Sequence, residues 1–169
     1  MKADIDLTVT YPHPIDQVWA ALTSAEALAA WLMPNDFQPV VGHRFTFRTK
    51  PAPGFDGIVR CQVLELEPPR RIVWSWAASK IDTTVTFTLE PAGEQLTRLR
   101  MHQVGFAGLG AQITRRILAS GWPGILRERL AARLDSAAGL GTRPAPDQGA
   151  GGWRAYLTVF RGWRQTPSK

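Results

Sequence analysis

The chain reads as an α+β fold built from one strand, two short helices, five further strands and a long closing helix. Three observations predict this. Residues 5–11 and then 43–104 alternate apolar and polar side chains, the period of half-buried strands. No helical pattern is interleaved among the later strands, so they form an antiparallel meander and not a doubly wound parallel sheet. From Ala111 to Ala138, Ile113, Ile117, Leu118, Trp122, Ile125, Leu126, Leu130 and Leu134 recur at helical spacing.

Each element has a local reason. Ile5, Leu7, Val9 and Tyr11 fall on one face of the first strand. The stretch from Pro14 to Leu32 reads as two amphipathic helices meeting at a cap. Thr23 and Glu26 have capping-box spacing, Pro14 suits a first helical turn, and Pro34 closes the pair. Asn35 to Gly42 is a loop. His43 to Thr49 is a second strand, with Phe45 and Phe47 on the same face. Turn formers from Lys50 to Gly57 connect it to a third strand, Ile58 to Leu66. After Glu67-Pro68-Pro69-Arg70, a fourth strand from Arg71 to Ala77 carries Ile72, Trp74 and Trp76 on one face.

The fifth strand has the cleanest alternation, with Ile81, Thr83, Val85, Phe87 and Leu89 sharing a face. Pro91 to Glu94 is a turn, and the sixth strand, Gln95 to Val104, points Leu99 and Met101 inward. Gly105 to Gly110 is a hinge into the closing helix. Pro123 is expected to split that helix near Gly121 into a short leading piece and a longer second one.

Residues 1–138 therefore form one domain. Residues 139–152, rich in glycine and proline, read as a linker, and 153–169 as an amphipathic arm. The net charge of +6 is uneven. Met1 to Gly110 carries ten Lys/Arg against eleven Asp/Glu, whereas Ala111 to Lys169 carries ten against three, so the excess lies C-terminally. A solvated, arginine-bearing helix face explains this more simply than an anionic partner, and no nucleic acid is expected. The single cysteine, Cys61, cannot form an internal disulfide. With no signal-like or membrane-length apolar run, a cytoplasmic location is expected.

In this order, particular residues resemble a known family. They are Trp19-x-x-Leu22-Thr23, Leu28-x-x-Trp31-Leu32, Gly42-x-x-Phe45-x-Phe47, Gly57-Ile58-Val59, Glu65 to Arg70, and Gly121-Trp122-x-x-Ile125-Leu126 with Leu130. From about Ala3 to Ala138 the chain resembles the START-like (SRPBCC) superfamily. Within it, the chain is most similar to bacterial single-domain proteins named after the C-terminal domain of the activator of heat-shock-protein-ninety ATPase. The resemblance implies a helix-grip fold, with a curved six-stranded antiparallel sheet around the closing helix and the two short helices sealing one end. It also implies a cavity between sheet and helix that takes lipids, sterols, hormones or polyketides. A few superfamily members cyclise polyketides. The co-chaperone role belongs to larger eukaryotic proteins and is not carried over.

The sequence shows no catalytic constellation. His13, His43 and His102 lack metal-ligand spacing, so no metal is expected, and no cofactor loop is present. His13, just before the first helix, is expected to cap it, and His102 to lie on the outer sheet face. Asp36 is expected at the rim of a cavity mouth, and Glu65 and Glu67 to be solvated between Leu64 and Leu66. The positive evidence is aromatic. Trp19, Trp31, Phe45, Phe47, Trp74, Trp76, Phe87 and Trp122, with Met101, come from elements the fold brings together. They are the candidate lining of a pocket on the order of a few hundred Å3. Filling the core is the competing reading of the same rings.

The expected function is therefore non-enzymatic binding of a small apolar or amphipathic ligand. The alternatives are a cyclase- or dehydratase-type enzyme on the same cavity, or an interaction module using the C-terminal arm. In that arm Trp153, Tyr156, Leu157, Phe160 and Trp163 make an apolar stripe flanked by arginines. Docking on protein, in the same or a second copy, is preferred for it over contact with a membrane surface.

Overall fold

The computed structural model describes residues 4–139. The expectations placed on residues 140–152 and on the arm at 153–169 lie outside these residues. The element order is the expected one: β1 (Ile5–Tyr11), α1 (Ile15–Leu22), α2 (Ala25–Trp31), β2 (Arg44–Arg48), β3 (Ile58–Glu67), β4 (Arg71–Ala78), β5 (Ile81–Gly93), β6 (Leu96–Val104) and a closing helix. The six strands form one antiparallel sheet in the order β1-β6-β5-β4-β3-β2. One face of this sheet, the inner stripe of the closing helix and the inward sides of α1 and α2 supply the core.

The alternation places side chains as the period requires. Ile81, Val85, Phe87 and Leu89 of β5 and Leu99 and Met101 of β6 are buried, while Arg98 and Arg100 are exposed. One bulge departs from this pattern. The β3–β4 register shifts between Val63 and Glu65, leaving Leu64 42% exposed on a strand where it was expected to alternate regularly with the glutamates. The extra residue has no partner opposite it, so its side chain is released from the alternation. A second shift, at Pro91/Gly93, carries β5 into the segment expected to be a plain turn.

Two local expectations are corrected at the helices. The cap of α2 is Ser24, whose Oγ accepts the Ala27 N–H at 3.3 Å. Thr23 instead donates its hydroxyl back to the Trp19 carbonyl at 2.8 Å and closes α1. Ser24→Ala is therefore expected to cost about 1 kcal/mol in chemical denaturation and Thr23→Ala distinctly less. His13 does not cap α1, which has no side-chain cap. It is buried, with Nε2 2.8 Å from Asp135 Oδ1 and Nδ1 3.3 Å from Gln17 Oε1. The tertiary approach of the closing helix's end claims the ring.

The closing helix is not split at Pro123. α3 (Leu109–Gly124) continues through a π-helical segment, Ile125–Leu130, into α4 (Ala131–Ala137). Backbone angles are helical at Gly124, Ile125, Leu130 and Ala131. Proline removes an N–H and crowds the carbonyl four residues back, and the following widened turns absorb that misfit without a break. Tyr11 Oη donates to the Leu126 carbonyl in this segment at 2.6 Å, tying β1 to the widened turn.

Candidate ligand-binding site

The inner face of the sheet is an aromatic bed. Phe45 and Phe47 of β2 and Trp74 and Trp76 of β4 point to the same side, and β5 adds Phe87. Their rings meet edge-on or tilted: Phe45–Phe47 at 5.4 Å, Phe45–Trp74 at 5.8 Å, Phe47–Trp76 at 5.6 Å and Trp74–Phe87 at 5.1 Å. Trp122 comes down from α3 to Trp76 at 5.7 Å and Phe87 at 6.2 Å. These six predicted residues are thus brought together, all nearly fully buried, with the quadrupole-favoured geometries of packed rings.

The other three predicted residues serve different places. Met101 is buried in β6 opposite Phe87. Trp31 donates its indole N–H to the Ala21 carbonyl at 2.8 Å and locks α2 onto α1. Trp19 is half-buried on α1. Phe37, from the loop between α2 and β2, joins the bed at 5.1 Å from Phe45 and 6.0 Å from Trp74. Its signal in the sequence was only an apolar ring two residues after Asn35, whose side-chain oxygen accepts the Phe37 N–H at 3.0 Å and turns it inward.

The polar groups in this interior are joined in a chain. Trp122 Nε1 donates to Gln103 Oε1 at 3.0 Å, Gln103 Nε2 donates to Thr83 Oγ1 at 2.9 Å, and that hydroxyl donates to the Trp76 carbonyl at 2.9 Å. Trp74 Nε1 is the exception, a buried donor without a partner.

Open space lies at one end of the bed. A cavity of about 30 Å3 sits between the sheet and the first half of α3. Val59, Trp76 and Ile81 floor it, Phe55 and Ser79 come from the hairpin tips, and Ile113, Ile117 and Leu118 form the helix wall. Of the nine predicted residues, Trp76 lines this cavity. Trp122 lines a separate crevice of about 220 Å3 beside β1. Phe55, the lone large apolar residue in a run of turn formers, is 5% exposed. Ile113 is 53% exposed at the mouth. The cavity has room for about one water molecule, so anything larger needs α3 or its side chains to move. The chain enters that helix through two glycines. Gly105 and Gly108 adopt φ of +103° and +87°, conformations only glycine takes readily, and nothing lies within 4 Å of a Cβ at Gly108.

None of the cavity's lining residues is an acid, base or thiol. The titratable groups lie elsewhere. Asp36, expected at the rim, instead pins its loop to β2. Its Oδ1 accepts the Thr46 N–H at 2.6 Å, and this bond holds its carboxyl below the usual carboxylate range. The hydrogen bond from Arg100 does the same for Asp6 on the outer face of the sheet. Burial pushes the Cys61 thiol up, so it stays protonated and unreactive. Among the described residues no group of three His, Cys, Asp or Glu side chains could hold a metal ion. No described helix is long and apolar enough to cross a membrane.

The model of the family described as Activator of Hsp90 ATPase homolog 1-like protein matches residues 12–135. Protein MLL2253 from Mesorhizobium loti is 32% identical, with a TM-score of 0.72 over 79% of this chain and 98% of that one. BH1534 from Bacillus halodurans is 26% identical, with a TM-score of 0.66 over 79% and 99%. Aha1 from Colwellia psychrerythraea, solved as a dimer, shares the fold at 19% identity, with a TM-score of 0.64 over 79% and 95%. No curated protein matches the chain.

Proposed function

The chain belongs to the family of Activator of Hsp90 ATPase homolog 1-like proteins, and from the seam between its sheet and α3 we propose that it binds a small apolar or amphipathic ligand without transforming it. One observation carries this reading. The gap between β3–β5 and the first half of α3 is walled by Trp76, Ile81, Ile117 and Leu118, and it opens beside a half-exposed Ile113. Such a wall favours apolar groups through burial and offers no proton donor or acceptor of shifted acidity. A cyclase or dehydratase would need a titratable side chain aimed at the ligand, and the lining provides only Ser79 and Thr114. Both hydroxyls already donate to backbone carbonyls, Ser79 to Gly54 at 2.6 Å and Thr114 to Gly110 at 3.3 Å.

Binding here requires α3 to lift between its glycine hinge and Pro123, so the ligand enters from the Ile113 side. The rings behind Trp76 then form the floor of the opened site, which gives the predicted aromatics a second role beyond packing. Titration of dodecanoate into the labelled protein, followed by amide chemical shifts, tests this. Shifts are expected to centre on Phe55, Trp76, Ser79 and Ile117, and Ile113→Asp should weaken binding about tenfold by placing a charge against the chain. Shifts centred elsewhere, or none at saturating ligand, would overturn the reading.

A further inference from the structure

The two edges of the sheet are finished differently. The outer edge of β2 is occupied by the preceding loop. Thr46 N–H donates to Asp36, Arg48 N–H donates to the Pro34 carbonyl at 2.9 Å, and Asn35 bridges to Phe47. β1 has no such cover. It pairs only with β6, and among the described residues no backbone or side-chain bond reaches its other edge. Alternate residues there present unpaired N–H and C=O groups. The strand runs seven residues in unbroken register and carries no proline, lysine or bulge, and its one charge, Asp6, is paired with Arg100 of β6. Prolines, lysines and bulges are devices that normally keep an edge from pairing. The crevice of about 220 Å3 runs along it, between Ile5 and Leu7 on one side and Ala119, Trp122 and Pro123 on the other.

We propose that β1 is the interface between two copies of this chain, joined edge to edge and antiparallel about a two-fold axis at Thr8. The sequence of β1 is complementary to itself in that register. Thr8 meets Thr8 of the second copy, Leu7 meets Val9, Asp6 meets Thr10 and Ile5 meets Tyr11. No charge faces its like. On the outer face, Asp6 of the second copy falls beside Thr10, whose other neighbour in the sheet is Arg98. The row therefore alternates basic, neutral and acidic, a favourable arrangement for cross-strand pairs. On the inner face, Leu7 and Val9 are only half-buried, and pairing covers them. An unrelated extended peptide would gain the same backbone bonds but has no reason to match these side chains. A seven-residue pairing is a small interface, so a dissociation constant on the order of 10 µM is expected.

Thr8→Glu tests this in the full-length chain. Within one copy, Thr8 is exposed and sits opposite Arg100, so the new carboxylate is tolerated or favoured. Across the axis it meets its own copy. Analytical ultracentrifugation over concentrations bracketing that constant should show a reversible dimer for the natural chain. Thr8→Glu should weaken it about tenfold or more, with the thermal midpoint not lowered. An equimolar mixture of Thr8→Glu and Thr8→Lys chains should recover a heterodimer, visible by native mass spectrometry. Independently, Thr8→Cys should form one intermolecular disulfide under mild oxidation, because facing strand residues lie within disulfide reach. A natural chain that stays monomeric, a Thr8→Glu chain that dimerises as well as the natural one, or a Thr8→Cys chain that does not cross-link would each overturn the proposal.

Discussion

Trp122→Ala is expected to destabilise the protein by about 5 kcal/mol, enough to unfold an ordinary domain of this size. Trp122 is where the closing helix meets the sheet, 98% buried between Trp76 and Phe87. Two costs add. Removing the ring leaves a cavity between the helix and the Trp76 and Phe87 rings, which accounts for about 3–5 kcal/mol. It also orphans the Gln103 carbonyl oxygen, which accepts the indole N–H at 3.0 Å, for about a further 1–3 kcal/mol. Trp122→Phe keeps most of the apolar contact but still orphans Gln103, so about 2–3 kcal/mol is expected. Adding Gln103→Met to Trp122→Phe should restore part of that loss. Equilibrium urea unfolding of the natural chain, Trp122→Phe, Gln103→Met and the double variant measures it, and strict additivity of the two substitutions would show that the hydrogen bond couples nothing.

Trp74 is expected to behave oppositely when shortened to phenylalanine. Trp74→Ala should cost about 3–5 kcal/mol, because the ring touches Phe37, Phe45, Phe47 and Phe87. Trp74→Phe should cost less than about 1 kcal/mol. It gives up some packing but removes a buried N–H that has no acceptor, a group that penalises the folded state by about 1–3 kcal/mol. Trp31 is the control. It is equally buried, but its N–H is spent on the Ala21 carbonyl, so Trp31→Phe loses packing and a hydrogen bond and should cost about 3 kcal/mol. Equal losses for the two Phe variants in urea unfolding would mean that the Trp74 donor is satisfied in solution.

Much of the architecture was legible because it is periodic. The alternation of Ile81, Val85, Phe87 and Leu89 dictates which face of β5 is buried wherever the strand ends up, and the same holds for Phe45 and Phe47. The site was less legible. Trp74 and Phe87 look like pocket residues for the same reason that they make a dense core: both uses need large inward rings. Whether a gap remains depends on how far α3 stands off the sheet. That distance is set by residues remote in sequence, such as Phe55 at a hairpin tip and the Gly105–Gly108 turn.

By itself, then, the sequence determined the order of elements, the inward and outward faces and the aromatic character of the interior. Periods of two and 3.6 are properties of the backbone and need no partner to be read. Tertiary structure alone decided the rest. It chose Ser24 over Thr23 as the cap, gave His13 to Asp135, let the helix pass Pro123 with Tyr11 tied to the Leu126 carbonyl, and sealed β2 while leaving β1 open. Each of these is a competition for one hydrogen-bonding group or one volume between segments far apart in the chain. Local pattern cannot rank such competitors, because the winner is fixed by where the rest of the chain has packed.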